Sequence, residues 1–322
     1  MTRVEVDAVL KAADFSEKEI QQIKFQRQLI QGTVASTTDR ELAAKLALVI
    51  DKPVSELSEV FMSSKHRQDA DPSVTQVGWL NEEDDAAESL SQVKLEPGTS
   101  TMMDAYRSVK PGNSDLNLYS VEMEMFKKTF SQEQVEEKLH EILLDRYNSY
   151  RQKGLDGIPP YTRKGGKDYH PGDELKMKSE LALIRKNHCP IFYRVLNEYP
   201  KEKPESLHEE FTWVNFEIDG KPTISLVHKM GMHESGVYVF CQRHFYVSRG
   251  HNSLQGTGGA FPIEPYEGHD EESTLLLYAS RTSTDQVAGF GGAAKRAIGA
   301  KIMGGRIAEN ILRSREVVEK SG

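Results

Sequence analysis

The last third of the chain leaves the fewest choices of fold. From Phe211 to Ser280 four runs read as β-strands: Phe211 to Ile218, aromatic and β-branched, Thr223 to Met232, where apolar and polar residues alternate, and then Gly236 to Ser248 and Ser273 to Ser280. A period of two sends successive side chains to opposite faces. Asp219-Gly220-Lys221-Pro222 joins the first two as a turn, which makes them a hairpin. The Gly-rich stretch Gly256-Thr257-Gly258-Gly259 reads as a spacer before the last strand. Beyond Gly291-Gly292 the pattern becomes helical from Ala293 to Val318. Gly304-Gly305 lies inside it, where the helix should bend or press closely on a neighbour. Antiparallel strands followed by one long helix specify an α+β fold, a curved antiparallel sheet gripping a long C-terminal helix.

Upstream, Val4 to Lys24 reads as two short helices, with Ser16 and Glu19 in a capping-box pattern. Glu41 to Ile50 alternates as a strand carrying Leu42, Ala44, Leu46, Leu48 and Ile50 on one face. Asp51-Lys52-Pro53 ends it, and Val54, Leu57, Val60 and Phe61 recur at helical spacing. From Ser63 to about His208 the pattern is mainly helical, clearest at Gln132 to Tyr150 and Gly172 to Ile184, around a turn-rich stretch from Gly154 to Gly166. The acidic run Glu82-Glu83-Asp84-Asp85 reads as solvated surface. The expected organisation is therefore three segments. Residues 1–61 hold the N-terminal helices and the first strand-helix unit, 62–208 a large helical insertion or subdomain, and 209–322 the remaining strands and final helix.

The formal net charge of −8 argues against generic nucleic-acid binding, which needs an excess of Lys and Arg to neutralise phosphates. That excess exists only locally. From Gln286 onward seven Lys or Arg face three Glu, giving +4 there and −12 elsewhere. This asymmetry fits either a solvated helix face or transient contact of the basic C-terminal helix with an anionic membrane surface. The apolar run Leu46 to Ile50 falls far short of the roughly 20 residues that span a bilayer, so a soluble protein is expected. Met1 to Ala13 has no apolar leader core. The chain reads as cytoplasmic if Met1 is its true start and exported if a signal peptide has been removed. Cys189 and Cys241 are in no CxxC pair, which excludes a zinc ribbon or a thioredoxin-like site and leaves a disulfide or two buried thiols. GxSxG, HExxH, DxDxDG and a strand-borne GxGxxG are absent, so no cofactor and no metal are expected.

The stretch LAAKLALVIDKPVSELSEVF, from Leu42 to Phe61, followed much later by antiparallel strands and a terminal helix, resembles the START-like or Bet v 1-like helix-grip superfamily. The likeness covers roughly Ile30 to Phe61 and Phe211 to Val318. It implies a cavity between a curved sheet and the last helix that holds a hydrophobic ligand such as a lipid, sterol or polyketide. Some members of the superfamily are cyclases, hydratases or hydrolases.

Candidate site residues come from the alternation itself. His228 shares a face with Ile224, Leu226, Met230 and Met232, the polar member of an apolar row. It should project into the core or cavity, orienting a ligand or acting as an acid or base. His233 falls on the opposite face, so the two histidines make no metal pair. The strand from Val237 places Cys241, Arg243 and Phe245 on one face and Gln242, His244 and Tyr246 on the other. Both faces are substantial, and alternation does not say which points inward. Turned inward, Arg243 needs a carboxylate or an anionic ligand. Tyr278 and Arg281 lie on and just beyond the last strand, and Thr284 or Asp285 reads as a helix cap. The expected ligand-binding set is thus Arg243, His244, Tyr246, Tyr278 and Arg281, with His228 as the catalytic candidate. The function these residues point to is binding of a hydrophobic or amphipathic small molecule. The alternative is a lyase, cyclase or hydrolase on the same scaffold.

Overall fold

The strand expected at Glu41–Ile50 forms over those residues (β2) and pairs along its length with Thr274–Ser283 (β10). The computed structural model describes residues 3–62, 64, 68, 71–80, 85–95, 100–112, 116–180, 189–218, 220–264, 273–289 and 291–320. Part of the acidic run (82–84), the end of the helix expected at 172–184, and Asp219 lie outside them. The other strands are β1 (Ile30–Thr33), β3 (Val74–Trp79), β4 (Tyr161–Thr162), β5 (Asp168–Tyr169), β6 (His208–Ile218), β7 (Lys221–Glu234), β8 (Val237–Val247) and β9 (Ser253–Pro262). Apart from the small β4-β5 pair, they form one antiparallel sheet in the order β1-β2-β10-β9-β8-β7-β6-β3. The chain is an α+β fold.

Local chemistry accounts for the joints. Ser235 and Gly236 take positive φ between the paired ends Glu234 and Val237, a two-residue turn whose twist suits the strands it joins. The capping box forms: Ser16 Oγ accepts from the Glu19 amide and Glu19 accepts from the Ser16 amide at 2.7 Å, opening α2 (Glu17–Gln26) after α1 (Val6–Ala12). One expectation is corrected. The Gly-rich stretch is no spacer but the middle of β9, where Gly256 and Gly258 lie beneath the rings of Tyr278 and Phe240. A Cβ would stand 1.7 Å and 2.4 Å from those side chains. The mainly helical 62–208 segment also supplies β3, which pairs with β6 and forms an edge of the sheet.

Helices cover both faces. On one lie α1, α2, α4 (Ala86–Ser91), α5 (Ser100–Arg107), α6 (Ser120–Phe126), α7 (Gln132–Lys153), α8 (Pro171–Glu180) and α9 (Pro190–Glu198). Leu139, Leu143, Tyr147 and Tyr150 of α7 share a core with Phe211, Trp213, Leu226 and Phe245. The helical segment is thereby packed onto the sheet. On the opposite face lie α3 (Val54–Met62), with Val54 and Leu57 against Leu48, Ile50, Tyr238 and Leu276, and the final helix α10 (Gly292–Lys320).

Small residues let α10 approach. A Cβ on Gly299 would sit 2.9 Å from Leu42, and one on Gly304 2.0 Å from Gln31 of β1. Six residues beyond Gly304, Asn310 donates to Asp71 Oδ2 at 3.0 Å, just before β3 at the other edge of the sheet. A sheet of eight strands is twisted and curved rather than flat, and α10 lies on its concave face, packed on β1 and β2.

Candidate functional site

The curl sorts the sequence-predicted residues into two groups. His228, Arg243, Tyr246 and Arg281 lie on the convex face, under the helices of the 62–208 segment. His244 and Tyr278 lie on the concave face with α10. Tyr246 departs from simple alternation because β8 carries one extra residue: Val227 pairs with His244 and Leu226 with Tyr246, leaving Phe245 over. This β-bulge puts Phe245 and Tyr246 into the same convex core and separates Tyr246 from His244.

His228 was expected beneath the last helix. It lies instead on the opposite face with 0% of its surface exposed, stacked on Phe211 at 4.0 Å between ring centroids and flanked by Tyr199 and Tyr150. Its hydrogen bonds follow from a neighbour that can only donate. Arg243 gives one N–H to Tyr150 Oη (3.1 Å), so Tyr150 turns its own proton to His228 Nδ1 (3.0 Å). The ring proton then resides on Nε2 and points to Glu209 Oε2 at 3.3 Å. Burial pushes the imidazole down to about 4, against the opposing pull of Glu209. Burial would raise the Glu209 carboxyl, but hydrogen bonds from His228 and Lys203 outweigh it and hold it at about 2. A neutral histidine thus links a buried guanidinium to a carboxylate near the surface.

Arg243 forms no ion pair with a carboxylate among the described residues. It donates to Gln255 Oε1 (2.9 Å), Ser179 Oγ (3.1 Å) and the Leu196 carbonyl (2.6 Å) as well as to Tyr150, so neutral acceptors meet its needs without an anion. Arg281 is held by Glu41 at 2.8 Å, and both are buried. Tyr246 is fully buried, with the Arg146 guanidinium 4.5 Å from its ring centroid. Sequence reasoning missed Tyr150, Glu209 and Lys178. Lys178 donates to Ser253 Oγ (2.5 Å) and Ser283 Oγ (2.8 Å), and burial lowers its ammonium to about 8. Tyr150 carried a signal in the sequence, a hydroxyl on the apolar stripe of α7, because a buried phenol usually finds a partner.

The concave face is built differently. On the central strands the convex positions Cys241, Arg243, Gln255 and Ala279 are buried, while the concave positions Gln242, Leu254 and Tyr278 between them are only half-buried, as is Leu42 on β2. Tyr278 and Phe240 lie side by side on the glycines of β9, rings 6.1 Å apart and 14° from parallel, forming an aromatic floor. Beside it Ser225 donates to the Tyr246 carbonyl (2.8 Å). Ser225 Oγ therefore accepts from His244 Nδ1 (2.9 Å), leaving His244 Nε2 to accept from Gln242 at 2.9 Å. Ser280 Oγ, Thr282 Oγ1 and Thr212 Oγ1 point to this same face, buried and without a hydrogen-bond partner among the described residues. The arrangement offers flat apolar surface next to a neutral imidazole, an amide and hydroxyls able to donate or accept.

Elsewhere, Arg3, Pro53, Val54, Ser55, Pro262, Ile263, Ser273 and Thr274 line a cleft of about 260 Å³. It lies away from every predicted site residue and below the roughly 300–1,000 Å³ usual for small-molecule sites. Thr284, as expected, caps a short turn by accepting from the Gln286 amide. Among the described residues no cluster of three or more His, Cys, Asp or Glu side chains is placed to hold a metal ion, and no helix is long and apolar enough to cross a membrane. Cys189 and Cys241 are free and buried. No protein-family model and no curated protein matches the chain.

Proposed function

We propose that the protein binds a hydrophobic or amphipathic small molecule of lipid, sterol or polyketide type between the concave face of the sheet and α10, in the manner of the helix-grip superfamily it resembles. The observation that carries this reading is the one-sided seal of the central strands: side chains close the convex face, while Gln242, Leu254 and Tyr278 remain partly open on the other. A central strand with both faces packed would bury these positions, and small-molecule sites combine apolar lining with a few converging polar groups. The apolar body lies on Leu254, Phe240 and Tyr278. Its polar end meets Gln242 and His244, with Ser280 and Thr282 beyond. No observation favours the enzyme alternative through His228, whose ring has no exposed surface.

The test is organic extraction of the purified protein with mass spectrometry of the extract, together with titration of a fluorescent fatty acid. Wild type retains an organic species and binds the probe saturably. Leu254→Arg, which puts a charge on the floor at a half-buried position, weakens binding tenfold or more, and Tyr278→Ala weakens it less. An empty extract with no saturable binding, or a Leu254→Arg variant that binds like wild type, overturns the reading.

A further inference from the structure

The outward side of α10 carries a second kind of surface. Between Asp285 and Glu309 the sequence has no acidic residue but holds Lys295, Arg296, Lys301 and Arg306, in a protein whose net charge is −8. The helix meets the sheet through Ala300 and Gly304, which are buried. At 100° per residue, Ile298 and Ile302 fall one turn apart on the opposite side. They are 62% and 56% exposed, among the most exposed large apolar side chains of the molecule. Lys295 and Arg306 flank this pair on one side and Lys301 on the other, all three exposed. Arg296 is turned back, donating to the Asp39 carbonyl at 2.9 Å.

We propose that this face of α10 docks on an anionic lipid bilayer, with Ile298 and Ile302 entering the headgroup region and Lys295, Lys301 and Arg306 contacting lipid phosphates and carboxylates. A helix with apolar residues on one stripe and cations beside it binds such an interface in its plane. The charge decides the partner. A second copy docking through the same face would set Lys295, Lys301 and Arg306 against their own equivalents, and an apolar protein groove would have to desolvate three cations beside the isoleucines. Anionic headgroups pair with the cations where they stand, and the acyl boundary takes up the isoleucines. The inference is independent of what the concave face binds, since none of these side chains lines it.

Vesicle co-sedimentation tests it with the full-length protein. Binding is expected to vesicles of phosphatidylcholine with phosphatidylserine at low salt and not to phosphatidylcholine alone, and high salt should release it. Each neutralised cation is worth about 1 kcal/mol near such a surface, or about fivefold, so Lys295→Gln with Lys301→Gln weakens binding about 25-fold. Ile298→Ser with Ile302→Ser abolishes it. Because these positions are exposed, the urea midpoints of both variants should match wild type. Equal binding to neutral vesicles, no binding to anionic ones, or unaltered binding by both variants overturns the proposal. So does a dimer in sedimentation equilibrium that the isoleucine variant dissolves while wild type ignores vesicles.

Discussion

Acid should unfold this protein through His228, and the effect can be sized. In an unfolded chain an imidazole titrates near 6.5, whereas burial under α7 and beside Tyr199 holds this one at about 4. Between those values the unfolded state binds a proton that the folded state refuses. Stability is therefore complete above pH 6.5 and falls as the pH drops towards 4. A shift of that size is worth at most roughly 3 kcal/mol, with a limiting slope of about 1.4 kcal/mol per pH unit. His251, also held at about 4, first by burial and then by Lys178, contributes a second slope over the same window. Glu209 acts lower. Its stabilisation is present above its unfolded value near 4.5 and is lost as the pH falls through about 2, so it does not contaminate the upper window. Urea unfolding between pH 7 and pH 4.5 should show wild type losing on the order of 4 kcal/mol, with nearly two protons taken up per molecule at the steepest point. His228→Gln cannot titrate. At pH 7 it should be about 1–3 kcal/mol less stable, because the bonds to Tyr150 and Glu209 are remade imperfectly, but its acid slope should be about half that of wild type. Equal slopes in the two proteins, or a flat wild-type profile, would refute a neutral, buried His228.

Other consequences follow from single contacts. Arg281→Leu leaves the Glu41 carboxylate buried without its cation and should cost about 3–5 kcal/mol in urea, much of it recovered in the Glu41→Leu/Arg281→Leu double variant. Gly256→Ala drives a methyl into Tyr278 and should cost about 1–3 kcal/mol; in a Tyr278→Ala background the penalty should largely vanish, which a double-mutant cycle reads directly. Burial pushes both the Cys189 and Cys241 thiols up to about 12, so a thiol reagent at neutral pH should label neither in the folded protein and both in urea. Fast labelling under native conditions would show that one of them is exposed.

How far the sequence reaches is set by what alternation encodes. It records which side chains share a face, and His228 does stand with Ile224, Leu226, Met230 and Met232 on one side of β7. It does not record which layer that face meets, because helices cover both faces of this sheet and both therefore select apolar residues. The final helix, the hairpin and the first strand-helix unit were readable because each is specified within its own segment by period, turn residues or a breaking proline. Strand β9 was not, since its glycines mark a place where rings from the neighbouring strands lie flat on the backbone. That requirement is met in three dimensions and leaves only a loop-like composition behind.

The extra residue at Phe245 shows the limit most sharply. Counting by twos from Tyr238 puts Tyr246 beside His244 on the ligand-facing side. One unpaired residue moves it to the other face, where it packs under the Arg146 guanidinium. The same bulge serves the site: with Tyr246 turned away, its carbonyl takes the Ser225 proton, and that fixes the tautomer of His244 on the concave side. Deleting Phe245 removes the unpaired residue and leaves Tyr246 next to His244 in a regular strand, so Tyr246 stays on the convex face and the Ser225-His244-Gln242 chain keeps its register. The convex core loses the Phe245 ring, which should cost about 3–5 kcal/mol in urea, while the folded variant keeps its fluorescent fatty-acid binding. A folded deletion variant that no longer binds would mean that the concave side depends on the bulge itself and not on the register around it.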